Sequence, residues 1–121
     1  MFKLIKNIPR RAKMATVYSL AGLASSFKKE ESVRLETLAL AILLATMIFV
    51  PWPLWKKLAL VAAFLLVPLA ELVNSAIEDV CDLVSMEYDE KIKNAKDKGS
   101  GAVLLAITID FVVLAALCLA P

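Results

Sequence analysis

The sequence predicts an all-α membrane protein with three transmembrane helices per chain and an N-terminal amphipathic surface helix. Three observations lead there. The 121 residues are 60% hydrophobic, whereas a soluble domain is nearer half apolar. The apolar residues gather into three stretches of about 35–55, 58–80 and 102–120, each close to the ~20 residues that cross a hydrocarbon core. The second stretch nevertheless carries Glu71, Asn74, Ser75 and Glu78, and an ionisable group at membrane depth is costly enough to mark a functional site by default.

The elements follow in order. From Pro9 to Phe27 the apolar positions Met14, Val17, Tyr18, Ala21, Ala24 and Phe27 recur at three and four, while Arg10, Arg11, Lys13 and Ser19 fall elsewhere. That spacing predicts an amphipathic helix over about 9–30, lying on the inner surface with its basic side chains among anionic headgroups. Pro9 suits its first turn. The first span, Leu35 to Val50, is short unless it borrows Pro51-Trp52-Pro53-Leu54-Trp55. The second runs from Leu58 to Val80. The polar stretch from Asp82 to Ser100 alternates charge and is expected to be partly helical, continuing both flanking spans. Ala102 to Ala120 is the third span. No composition shift divides the chain, so 1–121 is expected to be one integral-membrane domain. No apolar h-region precedes the first span, so no cleavable signal peptide is expected.

Charge sets the expected orientation. Lys3, Lys6, Arg10, Arg11, Lys13, Lys28, Lys29 and Arg34 precede the first span, and Lys91, Lys93, Lys96 and Lys98 lie between the second and third. Only Lys56 and Lys57 lie between the first and second. The positive-inside rule then places the N-terminus and the second loop in the cytoplasm and the C-terminus outside, with Trp52 and Trp55 at the outer interface. The chain has no His, which removes imidazole bases and His-ligated metals. Cys81 and Cys118 are expected near opposite faces as free thiols.

The central feature is Glu71-Leu-Val-Asn74-Ser75-Ala-Ile-Glu78. Glu71 and Glu78 are i, i+7 with Asn74 and Ser75 between them, so all four project from one helix face. Such residues can act as glue between helices. The two glutamates point further. Glu78 falls near the inner interface and Glu71 about 10 Å deeper at helical rise. Desolvation there is expected to raise the pKa of Glu71, as suits a proton acceptor. Glu30, Glu31 and Glu36 enter the first span at the same face as Glu78. They can pair with Lys28, Lys29 and Arg34, or supply the hard oxygen ligands that Mg²⁺ shares with substrate phosphates. Lys96 offers a point charge for phosphate, beside the small residues Gly99-Ser100-Gly101. Neither a Walker A nor a kinase-type Gly-rich loop is present. Asp110 sits mid-span in the third stretch, with Thr46 as the one candidate partner. Three spans cannot shield a polar stripe from lipid on every side, so self-association is expected.

These residues resemble the small bacterial integral-membrane diacylglycerol kinases over nearly the whole chain. The block Glu71 to Glu78 followed by Asp82, then Ser85-Met-Glu87-Tyr88, Ala95-Lys96-Asp97 and Arg34-x-Glu36, carries the resemblance. The resemblance implies a homotrimeric bundle in the bacterial inner membrane. It implies transfer of the γ-phosphate of MgATP to the hydroxyl of diacylglycerol at the inner face, giving phosphatidic acid. Glu71 falls at the family's general base and Asn74 at an active-site Asn beside it. Glu30 and Glu78 fall at its Mg²⁺ ligands. Arg11, Tyr18, Glu87, Tyr88, Lys96 and Asp97 fall at nucleotide contacts, joined there by Glu30 and Glu78. Arg34, Glu36 and Ser100 fall on the lipid side, with Glu71. The chain departs from the family pattern at Val33, where an aromatic is usual, and at Asp89, where a His is expected. The adjacency of Glu30 and Glu31 leaves the metal ligand open by one residue. Relatives of similar sequence phosphorylate undecaprenol, and the run Lys98-Gly99-Ser100 favours diacylglycerol. From another class, a small proton-coupled transporter would use Glu71 and Asp110 as a relay, but it gives no reason for Glu30, Glu78 and Lys96 to gather at one face.

Overall fold

The computed structural model describes residues 8–120, and among them only helices form regular structure. Lys3 and Lys6 lie outside the described residues, as do the side chains of Pro9 and Arg10. The helices are α1 (Ile8–Lys29), α2 (Glu31–Phe49), α3 (Leu54–Phe64), α4 (Leu66–Val84) and α5 (Glu90–Leu119). Three segments are long and apolar enough to cross a membrane: Glu31–Phe49, Leu54–Val84 and Glu90–Leu119.

The first span gains its length at the start rather than by borrowing the Pro-Trp-Pro segment. Val50 N–H still reaches the Thr46 carbonyl at 3.2 Å, but Pro51 and Pro53 lack the N–H needed to continue. Pro53 is extended and serves as the N-cap of α3. The second span is broken once, at Leu65, which separates α3 from α4. Pro68 explains the break: it has no N–H to offer the Phe64 carbonyl four residues back. The predicted helical character of the stretch between spans two and three is also present. α4 runs on to Val84 and α5 begins at Glu90, so only residues 85–89 link them. Asp89 is the N-cap of α5, its Oδ1 accepting from Lys91 N–H at 2.7 Å and Ile92 N–H at 3.1 Å. Asp89, the residue that departs from the family pattern, thus has a local structural role.

The chain forms two compact units, residues 1–34 and 35–121. In the first, the Arg34 guanidinium donates to the carbonyls of Phe27 at 3.4 Å and Lys28 at 3.3 Å, near the end of α1. Lys28 and Lys29 stand in the last turn of that helix. All three cations oppose the partial negative charge of its C-terminus.

In the second unit α4 and α3 both pack antiparallel against α5. Three contacts fix the register. Lys56 Nζ donates to the Ala120 carbonyl at 2.7 Å at one end. Gly99 lies against Asn74 further along. At the other end Lys96 pairs with Asp82 at 2.6 Å. Leu60, Ala63, Val103, Ala106 and Leu117 are buried between the helices, while Leu104, Phe111 and Val112 face outward. In a bilayer such outward residues meet lipid, and close packing with polar contacts holds the helices together. Cys81 is buried, Cys118 is exposed, and both are free thiols. Thr46 is not the partner of Asp110. Its hydroxyl donates to the Leu43 carbonyl at 2.8 Å within its own helix, and Asp110 Oδ1 has no hydrogen-bond partner among the described residues. A threonine in a helix turns its hydroxyl back on the preceding turn more readily than across to another element.

Candidate functional site

The site is built from successive turns of α4 and the first turns of α5. Asn74, Glu78 and Asp82 follow one another at i, i+4 and i+8, each displaced about 40° around the helix from the last. Asn74 is buried, Glu78 half-buried and Asp82 exposed, so the series climbs from the protein interior to its polar end. Asn74 Nδ2 donates to Glu78 Oε1 at 2.9 Å. This bond holds one carboxylate oxygen in place and fixes the orientation of the group. Glu71, one turn before Asn74, is half-buried on the same side of the helix.

Two cavities flank this series. Between α4 and α5 runs an apolar groove of about 470 Å³, walled by Leu66, Leu69, Val73, Leu105 and Ile109, with Asn74 and Lys98 toward its polar end. Beyond Asp82 lies a second hollow of about 340 Å³, lined by Glu87, Tyr88, Lys93, Lys96 and Asp97 with Asp89 and Ile92. Asn74 lines the groove. Asp82 is bonded to Lys96 of the polar hollow at 2.6 Å. Glu78 stands one helical turn from each.

The polar hollow gathers charges of both signs. Lys96 is tied to Asp82, and Lys93 to Asp97 at 2.6 Å. The Lys96 side chain is 37% exposed and its partner 48% exposed, so this pair meets water and incoming anions. Ser85 Oγ accepts from Glu87 N–H at 3.0 Å, which steadies the turn carrying Glu87 and Tyr88.

Of the residues singled out from sequence, Glu87, Tyr88, Lys96 and Asp97 converge on this hollow, and Asn74 and Glu78 are bonded to each other. Ser100 is exposed on α5, and Glu36 is half-buried on α2. Arg11, Tyr18, Glu30 and Arg34 belong to the other unit. There Arg11 and Tyr18 are exposed on α1, Glu30 is half-buried between α1 and α2, and Arg34 holds the end of α1. Asp82, Lys93 and Gly99 were not given roles by sequence reasoning. Asp82 was legible as the residue four after Glu78. For Gly99 no local signal distinguishes it from Gly101.

No three His, Cys, Asp or Glu among the described residues are grouped so as to hold a metal by themselves. Mg²⁺ makes no such demand, since it is bound through one or two carboxylates and completes its octahedron with phosphates and water. An oriented Glu78 carboxylate suits that chemistry.

Fold and site together define a multi-pass α-helical membrane protein in which most ionisable residues of the α4–α5 pair gather toward one end. Residues 17–118 match the family model described as prokaryotic diacylglycerol kinase. The chain is 36% identical over 110 residues to the diacylglycerol kinase of Pseudomonas aeruginosa, covering 91% of this chain and 89% of that one. It is 38% identical over 95 residues to that of Haemophilus influenzae, covering 78% and 80%. The corresponding protein of Escherichia coli K12 is 35% identical over 95 residues, covering 78% of each. The chain belongs to the prokaryotic diacylglycerol kinase family and is a phosphotransferase.

Proposed function

We propose that this protein transfers the γ-phosphate of MgATP to the hydroxyl of diacylglycerol, giving phosphatidic acid at the inner face of a bacterial cytoplasmic membrane. One observation carries the reading. An apolar groove fit for an acyl chain runs along the α4–α5 pair with its Asn74 and Lys98 end nearest a polar hollow fit for a nucleotide, and Glu78 stands one turn from Asn74 of the groove and one turn from Asp82, which is bonded to Lys96 of the hollow. A water-soluble donor and a membrane-held acceptor can then meet without either crossing the bilayer.

The roles follow from the chemistry. Phosphoryl transfer needs positioning and charge neutralisation more than covalent chemistry from the protein. Lys96, released from Asp82, meets phosphate oxygens, and Glu87, Tyr88 and Asp97 hold the remainder of the nucleotide. Arg11 and Tyr18 are assigned to the nucleotide by family resemblance. Glu78 is a Mg²⁺ ligand, with Glu30 as the second by the same resemblance. Bound Mg²⁺ would neutralise phosphate charge. Glu71 accepts the proton of the lipid hydroxyl as the new P–O bond forms and ADP leaves. Asn74 orients the Glu78 carboxylate, while Arg34, Glu36 and Ser100 serve the lipid side. The functional form is a homotrimer, which shields the stripe of Glu71 and Glu78 from lipid. The N-terminal helix lies on the inner surface, and residues 1–121 act as one kinase domain.

The test uses the purified full chain in detergent micelles with γ-labelled ATP, Mg²⁺ and either diacylglycerol or undecaprenol. Label passing into the organic phase with diacylglycerol is the expected result. Label passing only with undecaprenol would reassign the acceptor. No transfer to either alcohol would overturn the kinase reading.

A further inference from the structure

The two glycines of Gly99-Ser100-Gly101 both lie within α5, and the structure separates them. A methyl group added at Gly101 would meet nothing within 4 Å. One added at Gly99 would run into Asn74 Oδ1, and would lie 3.2 Å from Asn74 Cγ and 3.6 Å from Asn74 Cα. The last is an ordinary contact, so the helices need not part to admit a methyl group. The amide must move instead.

The position of that amide has consequences. Its oxygen is buried without a hydrogen-bond partner among the described residues, on the side where Gly99 lacks a side chain. Its nitrogen thereby points the other way and donates to Glu78 Oε1 at 2.9 Å. A half-turn of the amide would set oxygen against carboxylate oxygen, which repel. We infer that Gly99 is a positioning residue: its missing side chain leaves the space in which the Asn74 amide stands with its N–H toward Glu78, and so fixes that carboxylate. The inference rests on the reading of Glu78 as an active-site carboxylate. Helix propensity gives no reason for glycine here, since alanine at either position would on that ground favour α5.

The comparison is G99A against G101A and wild type, each as the full chain in micelles. The chain has three asparagines, Asn7, Asn74 and Asn94, and no glutamine, so side-chain amides labelled with ¹⁵N give few signals. The Asn74 signal is assigned by its loss in Asn74→Ala. G99A is expected to shift that signal, to lower kcat about tenfold, as for a lost hydrogen bond to a charged group, and to raise the Mg²⁺ concentration needed for half-maximal rate. G101A should leave the signal and the kinetics near wild type. The inference is overturned if G99A leaves the amide in place, moves it without slowing transfer, or slows transfer no more than G101A does. It is equally overturned if G99A fails to fold, because the glycine would then serve packing alone. Should wild type phosphorylate no lipid alcohol, the kinase reading fails separately, and the amide signal still decides whether Gly99 holds Asn74.

Discussion

Two lysines hold α5 to the helices beside it, one toward each end, and they are held in opposite ways. Lys56 is 5% exposed. Its ammonium donates to the Ala120 carbonyl at 2.7 Å and the Leu117 carbonyl at 3.3 Å, with the Trp55 ring 5.6 Å away and the Trp52 ring 6.0 Å away. The charge meets the negative end of the helix dipole and carbonyls that no further turn would satisfy. Lys96 instead shares its charge with a single carboxylate, half in water and beside a polar hollow. A buried cation whose donors all serve the fold is structural. A half-exposed cation whose partner can be exchanged for phosphate is available to a substrate.

Substitutions can break or sharpen that contrast. The largest effect is expected from the acids near the Lys96 end. Glu71→Gln should lower kcat by about 10²–10⁴ while ATP affinity holds, as for loss of a general base. A mutant with normal turnover and poor ATP binding would contradict the assignment. Glu78→Gln should abolish lipid phosphorylation while the oligomer stays assembled on size-exclusion chromatography. Activity within a few-fold of wild type would remove Glu78 from the metal role.

Next comes Lys96→Met, expected to slow transfer by roughly 100-fold, as for removal of one electrostatic contact to the reacting group. Its melting temperature should stay near wild type, because exposed ion pairs contribute little to stability. Lys56→Met should do the reverse. It strands two helix-end carbonyls, at a cost of about 1–3 kcal/mol, and should lower the melting temperature while activity in the cold is retained. If Lys56→Met lost activity at full stability, or Lys96→Met melted early with normal turnover, the division between the two ends would not stand. The smallest effect is expected from Asp110→Asn. One carboxyl oxygen of Asp110 is buried without a partner among the described residues, and a neutral amide is cheaper at that depth than an acid, so a thermal melt should show stability held or raised, with unaltered kinetics.

Much of the fold was legible because hydrocarbon imposes a simple demand. Backbone groups must be satisfied within the segment, so an apolar stretch of spanning length has to be helix. The alignment of Glu71, Asn74 and Glu78 on one face followed from helical periodicity alone, and the helical extension of α4 and α5 beyond the apolar stretches was expected from the short, charge-alternating stretch between them. The break at Leu65 was available from Pro68 and went unread because hydropathy runs through it undisturbed. Lys56 was read as a topology charge, since nothing near it in sequence names Ala120 or Leu117 as its acceptors. Asp110 and Thr46 show the opposite error, in which two polar residues in spans were paired although the Thr46 hydroxyl has the Leu43 carbonyl nearer by in its own helix and leaves Asp110 Oδ1 without a partner among the described residues.

Composition and periodicity by themselves determined the class of protein, the number of spans and which face of α4 carries its acids, because those properties depend only on neighbours within one helix. The resemblance of the motifs added the family. Tertiary structure alone decided that Gly99 rather than Gly101 meets Asn74, that Asp82 holds Lys96, and that a groove and a hollow lie on either side of Glu78. Those are relations between α4 and α5, set by the depth and register at which two antiparallel helices meet, and neither helix encodes that register on its own.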